Sequence, residues 1–276
     1  MTTRTDLDGS PIGHPTKHAE RYDPNLLFAV ERARQRESLS LRGDLPFRGA
    51  DLWTAYEASW LDPHGKPQIG ILTFVVPAHS PRLVESKSVK LYVTAMNQTR
   101  FASAAEVIAT IARDLANAVG APVAVTLTPP QDFAQLPRAE PAGESLDDLP
   151  LACDRYELAP ELLVARGAAV SEALYSRLFR SVCPVTGQPD YASVQIAYRG
   201  AQIDRTGLLG YLVSFRRHPG FHEHCVETIF VDLWRRCRPD ALSVYARFTR
   251  RGGIDINPYR TSGAEPPPAN ARTARQ

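Results

Sequence analysis

Cys183 stands in SVCPVTGQPDY (181–191), the stretch whose residue types most invite covalent chemistry. A thiol there is followed at once by Pro184, which cannot continue a helix. Gly187, Pro189 and Asp190 make the remainder turn-rich. A cysteine in a loop after an apolar helix, with a carboxylate seven residues on, suits a nucleophile with a nearby proton carrier. A half-buried structural cysteine with a turn-forming Asp fits the same residues. RLVESKSVKLY (82–92) is a second candidate. Glu85, Lys87 and Lys90 alternate with small Ser86 and Ser88. Read as the start of a strand, the segment puts Glu85 and Lys87 on one face; the bland alternative is a solvated, charged edge. HPGFHEHC (218–225) sets His222 and Glu223 in a first helical turn, where a carboxylate also suits the helix dipole. RFTRRGGIDINPYR (247–260) brings Arg250, Arg251 and Arg260 around a Gly-Gly turn, either a phosphate site or an ordinary basic turn.

Other chemistries lack their signatures. HEHC is not HExxH, and neighbouring side chains on a helix diverge by about 100°, so no metal site is expected. The four cysteines, Cys153, Cys183, Cys225 and Cys237, form no CxxC pair and are too few for a disulfide framework. No glycine fingerprint of a Rossmann or P-loop site appears. A net charge of +2 argues against a direct nucleic-acid partner. No apolar run reaches the roughly 20 residues of a membrane helix. The amino terminus lacks the apolar stretch of a secretory signal, which implies a cytoplasmic setting.

The elements that must hold these residues follow from spacing. Residues 1–24 read as an extended arm and 25–34 as a short helix. Strands are expected at 51–61, 71–76, 88–94 and 122–127. Between the last two, Ser103 and Glu106 form a capping box, Val107, Ile111 and Leu115 recur at helical spacing, and Gly120 with Pro122 stops the helix. Residues 128–150 are Pro- and acid-rich, as a linker would be. The second half has expected strands at 193–198, 208–215 and 242–249 and a helix at 221–237. Residues 263–276 read as a disordered tail.

The halves align at an offset of 118: Leu91, Thr110, Ile111, Asp114 and Leu115 stand against Leu209, Thr228, Ile229, Asp232 and Leu233. This reads as an α+β chain with two tandem modules, residues 25–150 and 151–262. Each would be an antiparallel sheet with helices on one face, and sites would lie between modules.

The strings VESKSVKLY, CPVTGQPDYASVQIAY, FHEHCVETIFVDL and RRGGIDINPYR, in that order, resemble the NADPH-dependent nitrile reductases of queuosine biosynthesis, the 7-cyano-7-deazaguanine reductases. The resemblance runs from about residue 20 to residue 260. It implies two tandem tunnelling-fold modules, a homodimer, and reduction of a nitrile to an aminomethyl group by two NADPH. It implies Cys183 as the nucleophile that makes a thioimidate, Asp190 as its proton partner and His222 as a helper in later proton transfers. Val84, Glu85, Ser86, His222 and Glu223 would bind the base; Ser86, Lys87, Arg251 and Gly252 would bind NADPH. One departure lies near the start, where His14 rather than Lys follows Ile12-Gly13. A pterin- or GTP-handling hydrolase on the same fold is the alternative, and it would bring a metal.

Overall fold

The structure, a computed structural model, describes residues 9–10, 21–41 and 43–276. The departure at Ile12, Gly13 and His14, with most of the expected arm, lies outside them. Residues 25–34 do not form one helix. A 3-10 turn, Pro24–Leu26, gives way to a short strand β1 (Ala29–Glu31) and helix α1 (Arg32–Glu37). The hairpin β2 (Arg48–Leu61) and β3 (Pro67–Pro77) follows, then β4 (Arg82–Val84), α2 (Ser86–Ala95), α3 (Ala104–Val119) and β5 (Ala124–Thr128). The expected linker contains a 3-10 turn, Pro130–Gln135, and a short strand β6 (Glu144–Ser145). The second half runs β7 (Ala165–Val182), β8 (Pro189–Ile203), α4 (Arg205–Ser214), α5 (His222–Cys237), β9 (Ala241–Phe248) and β10 (Ile254–Thr261).

Two expected strands are helices. In 88–94 the alternation of Val89, Leu91 and Val93 suggested a strand. The buried residues are instead Val89, Tyr92, Val93 and Met96, spaced three and four apart as one helix face requires. In α4, Leu208 through Ser214 are all buried, so no polar face exists to reveal the period. The repeat survives both corrections. α3 and α5 begin 118 residues apart and have equal length. The identical aspartates gain a purpose: the Tyr92 hydroxyl donates to Asp114 at 2.7 Å, and the Tyr211 hydroxyl donates to Asp232 at 2.7 Å.

The chain is α+β, with each half built as strand pair, helix pair and returning strand. The sheets merge. One eight-stranded sheet runs β5-β3-β2-β10-β9-β8-β7-β6, antiparallel except where β6 joins β7. The merger comes from β10. It pairs with β2 along its whole length, from Ile254↔Ala55 to Thr261↔Arg48, but with β9 only at Tyr259–Thr261. The last strand of the second half therefore completes the sheet of the first. Helices cover one face. α5 buries Val226, Ile229, Phe230 and Leu233 completely; each contributes about 1.5–3 kcal/mol. The other face carries Ala50, Leu52, Tyr245 and Tyr259. The tail expected to be disordered lies across that face: Asn270 donates to Thr54, and Gln276 donates to the Phe248 carbonyl and to Asn257. Burying those amide groups with partners keeps a Pro-rich segment fixed without secondary structure. No helix among the described residues is long and apolar enough to cross a membrane.

Candidate active site

Cys183 follows a strand, β7, and not the apolar helix expected before it. It opens the turn of the β7–β8 hairpin: its N–H donates to the Gln188 carbonyl at 2.8 Å, and Gly187 N–H donates back at 3.0 Å. Gly187 adopts φ +67°, the left-handed conformation that favours glycine there. The segment before α5 is tied to the same hairpin end. Val182 N–H donates to the His218 carbonyl and Gly220 N–H to the Val182 carbonyl. Those two bonds bring the first turn of α5 beside the cysteine, although the segments are some forty residues apart in the chain.

Cys183, Asp190, His222 and Glu223 line one cavity of about 360 Å³, within the range of small-ligand pockets. Its opposite wall comes from the first half: Leu83, Val84, Ser86, Lys87, Lys90 and Leu91. Arg251, Gly252, Ile254 and Ile256 close one side. The site thus lies between the two halves of a single chain. His222 stacks flat on Phe248, ring centres 3.8 Å apart and 3° from parallel. Its Nε2 sits 3.3 Å from Asp190 Oδ1, and the same oxygen receives Arg251 Nε at 2.8 Å. Arg251 also donates to the Pro189 carbonyl. His222 Nδ1 is buried without a partner, so the imidazole is held by its stack and its contact with Asp190 and keeps one ring nitrogen uncommitted.

The HEHC string divides as a helix requires. His222 and Glu223 reach the cavity; His224 and Cys225 turn into the core. Burial pushes His224 down to about 4 and the Cys225 thiol up to about 12. Glu223 is 3% exposed. Burial, reinforced by the charge of Asp51, raises its carboxyl to about 7, against the opposing pull of Arg32 and His222.

Glu85 departs from expectation. It does not line the cavity. As the N-cap of α2, its carboxylate accepts Lys87 N–H at 2.6 Å and Ser88 N–H at 2.8 Å. The two bonds satisfy orphan donors of the first turn and so fix the direction of Ser86 and Lys87. Burial raises its pKa despite those bonds. Glu85 and Lys87 therefore do not share a strand face. The other residues expected at the site, Val84, Ser86, Lys87, Arg251 and Gly252, all line the cavity. Phe221 and Phe248 were not singled out. Phe221 precedes the His-Glu pair directly, and that adjacency was its signal; Phe248 reaches His222 only through folding. Among the described residues no three His, Cys, Asp or Glu side chains are placed to hold a metal ion.

A dinucleotide fits these residues. Lys87, Lys90 and Arg251 give the rim positive charge, and Gly252, at φ +57°, has no side chain to displace the Lys90 stem that passes over it. Ser86, Lys87, Arg251 and Gly252 would hold phosphate and ribose there.

A thiol sharing one cavity with a carboxylate–imidazole pair and a cationic rim suits thiol chemistry on a small ligand. Similarity to known proteins narrows the class. Residues 18–127 match the family model described as nitrile reductase, 7-cyano-7-deazaguanine-reductase N-term, and residues 189–267 match that of QueF-like protein. The NADPH-dependent 7-cyano-7-deazaguanine reductase of Verminephrobacter eiseniae is 55% identical over 98% of this chain and 99% of its own. Those of Bordetella parapertussis, 54% identical over 98% and 99%, and Burkholderia ambifaria, 55% over 97% and 98%, carry the same name. The chain belongs to the 7-cyano-7-deazaguanine reductase family.

Proposed function

We propose that the chain reduces 7-cyano-7-deazaguanine to 7-aminomethyl-7-deazaguanine with NADPH, through a covalent thioimidate on Cys183, as a step toward queuosine. The convergence of Cys183, Asp190, His222 and Glu223 on one cavity carries the reading. Asp190 takes the thiol proton as Cys183 Sγ adds to the nitrile carbon, and hands it to the nitrile nitrogen. The carbon–sulfur bond lasts until reduction to the imine stage expels the thiolate, which is reprotonated. NADPH supplies the hydrides. His222, steadied on Phe248, moves protons in the later steps. Glu223 accepts N1–H and the 2-amino group of the base as a bidentate pair. Glu85 acts from behind the wall, by directing Ser86 and Lys87. Absorbance of reduced nicotinamide, followed with and without the nitrile, tests the activity. Oxidation indifferent to the nitrile would defeat the proposal.

Glu223 must be ionised to accept both donors. With its carboxyl near 7, base affinity is expected to fall about tenfold from pH 8 to pH 6. Replacing Glu223 by Ala should weaken binding about tenfold or more and flatten that dependence. Calorimetry across this range checks both; a wild-type affinity independent of pH would contradict the role. A homodimer and a cytoplasmic setting belong to the same proposal. β5 forms one edge of the sheet and β7 is covered by β6 only at Leu174 and Tyr175, which leaves backbone groups for pairing. Sedimentation and cell fractionation check these, and a monomer or a membrane-bound enzyme would speak against them.

A further inference from the structure

Phe248 carries His222, and its own backbone is held by side chains where a strand would be expected. It ends β9, next to β8 at Ala192. Its N–H and carbonyl face the other way, and buried backbone groups need partners. β10 pairs with β9 only at Tyr259–Thr261; upstream of that it pairs with β2 alone. Two side-chain amides fill the gap between β9 and β10. Phe248 N–H donates to Asn257 Oδ1 at 3.2 Å, and Gln276 Nε2 donates to the Phe248 carbonyl at 2.9 Å. Gln276 Nε2 also donates to Asn257 Oδ1 at 2.8 Å, so the two amides act as one unit.

Gln276 is itself fixed from the sheet face away from α5. Its Oε1 accepts Arg247 Nε at 2.6 Å and Thr273 N–H at 3.2 Å. Arg247 can only donate and the Phe248 carbonyl can only accept, so the amide has one orientation. Arg247 also donates to Asn270 Oδ1 at 2.9 Å, and Asn270 donates to Thr54 at 3.0 Å. Successive side chains of a strand point to opposite faces; Arg247 therefore meets the tail while Phe248 meets α5. On that side the Phe248 ring is wholly buried, with Phe179 edge-on at 6.0 Å and His222 flat upon it at 3.8 Å. With His222 Nδ1 unpartnered, the stack and the Asp190 contact set the tilt of the imidazole. A shift of the Phe248 backbone would pass directly to it.

We propose that Gln276 is a positioning residue for His222. Its amide closes the sheet behind Phe248 and so sets the ring on which the imidazole rests, although Gln276 does not line the cavity. This rests on the proposed role of His222 in the proton transfers that follow thioimidate formation. The test compares Gln276→Ala, Gln276→Glu and His222→Ala with wild type. Intact mass reads the adduct formed with 7-cyano-7-deazaguanine in the absence of NADPH, and absorbance of reduced nicotinamide reads turnover. Proton NMR reads the His222 ring signals, which Phe248 shields and which His222→Ala assigns by removing them. Gln276→Glu keeps an acceptor for Arg247 but has no donor for Phe248, so it separates anchoring of the tail from the hold on Phe248. Both Gln276 variants are expected to form the adduct as wild type does, to turn over about tenfold more slowly, and to move the His222 signals downfield. Adding Gln276→Ala to His222→Ala should cost nothing further, because the two act through one contact. Turnover within about twofold of wild type in both variants, or His222 signals that stay in place, overturns the proposal. So does a slow Ala variant beside a normal Glu variant, or loss of adduct and turnover together, since either would make the tail a purely structural anchor. Should Gln276→Ala not fold, Gln276→Glu decides alone, its carboxylate still paired with Arg247. Normal turnover by His222→Ala would instead remove the reading of His222 itself.

Discussion

Replacing Cys183 by Ala should abolish the covalent adduct with 7-cyano-7-deazaguanine and cut turnover on the order of 10⁴-fold or more, the scale reached when a covalent nucleophile is lost. Intact-protein mass reads the adduct directly. The expectation follows from the positions of the other thiols. Burial pushes Cys225 up to about 12 and Cys237 up to about 11. Neither lines the cavity, and neither does Cys153. Alanine at any of those three should leave the adduct in place. The lost sulfur should cost little stability, below about 2 kcal/mol, because Cys183 sits in a hairpin turn whose bonds come from its backbone. An adduct that survives Cys183→Ala would end the proposed mechanism, since no other described sulfur faces the cavity.

The helices with a polar face could be read from sequence, while those without one could not. In α3 the capping box and the left-handed Gly120 bracket a clear stripe, and the structure keeps both ends. α2 was misread because its exposed and cavity-facing residues fell by chance into period two. Leu91 is apolar for the cavity, not for the core. α4 had no readable period, being buried all round. The role of Glu85 was missed for the same reason: an N-cap is recognised only after its helix is. The site motifs were visible as four strings, but their convergence was not. It needs the pairing of Val182 with the 218–220 segment and the crossing of β10 to β2, where Ile254 meets Ala55 from far along the chain. Such contacts are set by tertiary register, which no local spacing encodes.

The other large effect lies beneath Glu223. Arg32, Arg36 and Arg260 meet Asp51 and Glu227 in a buried cluster, with Arg32 on Asp51 at 2.5 Å, Arg36 on Glu227 at 2.7 Å and Arg260 on both at 2.8 Å. It joins α1 and β2 of the first half to α5 and β10. Burial alone would raise Glu227, yet Arg260 and Arg36 hold it down to about 2. Three cations face two carboxylates, and Glu223, one turn before Glu227, feels both Arg32 and Asp51 of this cluster. Arg32→Met is therefore expected to act twice. Removing Arg32 takes away the nearest partner of Asp51, leaves that buried carboxylate on Arg260 alone and should cost about 3–5 kcal/mol, read from the urea midpoint at constant m-value. It also removes a cation that favours ionised Glu223 while Asp51, which opposes ionisation, remains. The Glu223 carboxyl should then rise above about 7, so base affinity at pH 7 falls and recovers only at higher pH. Arg32→Lys, which keeps the charge, should retain most of the affinity at pH 7. A destabilised Arg32→Met protein whose binding curve keeps its wild-type pH midpoint would show that the cluster holds the halves together without setting the charge of Glu223.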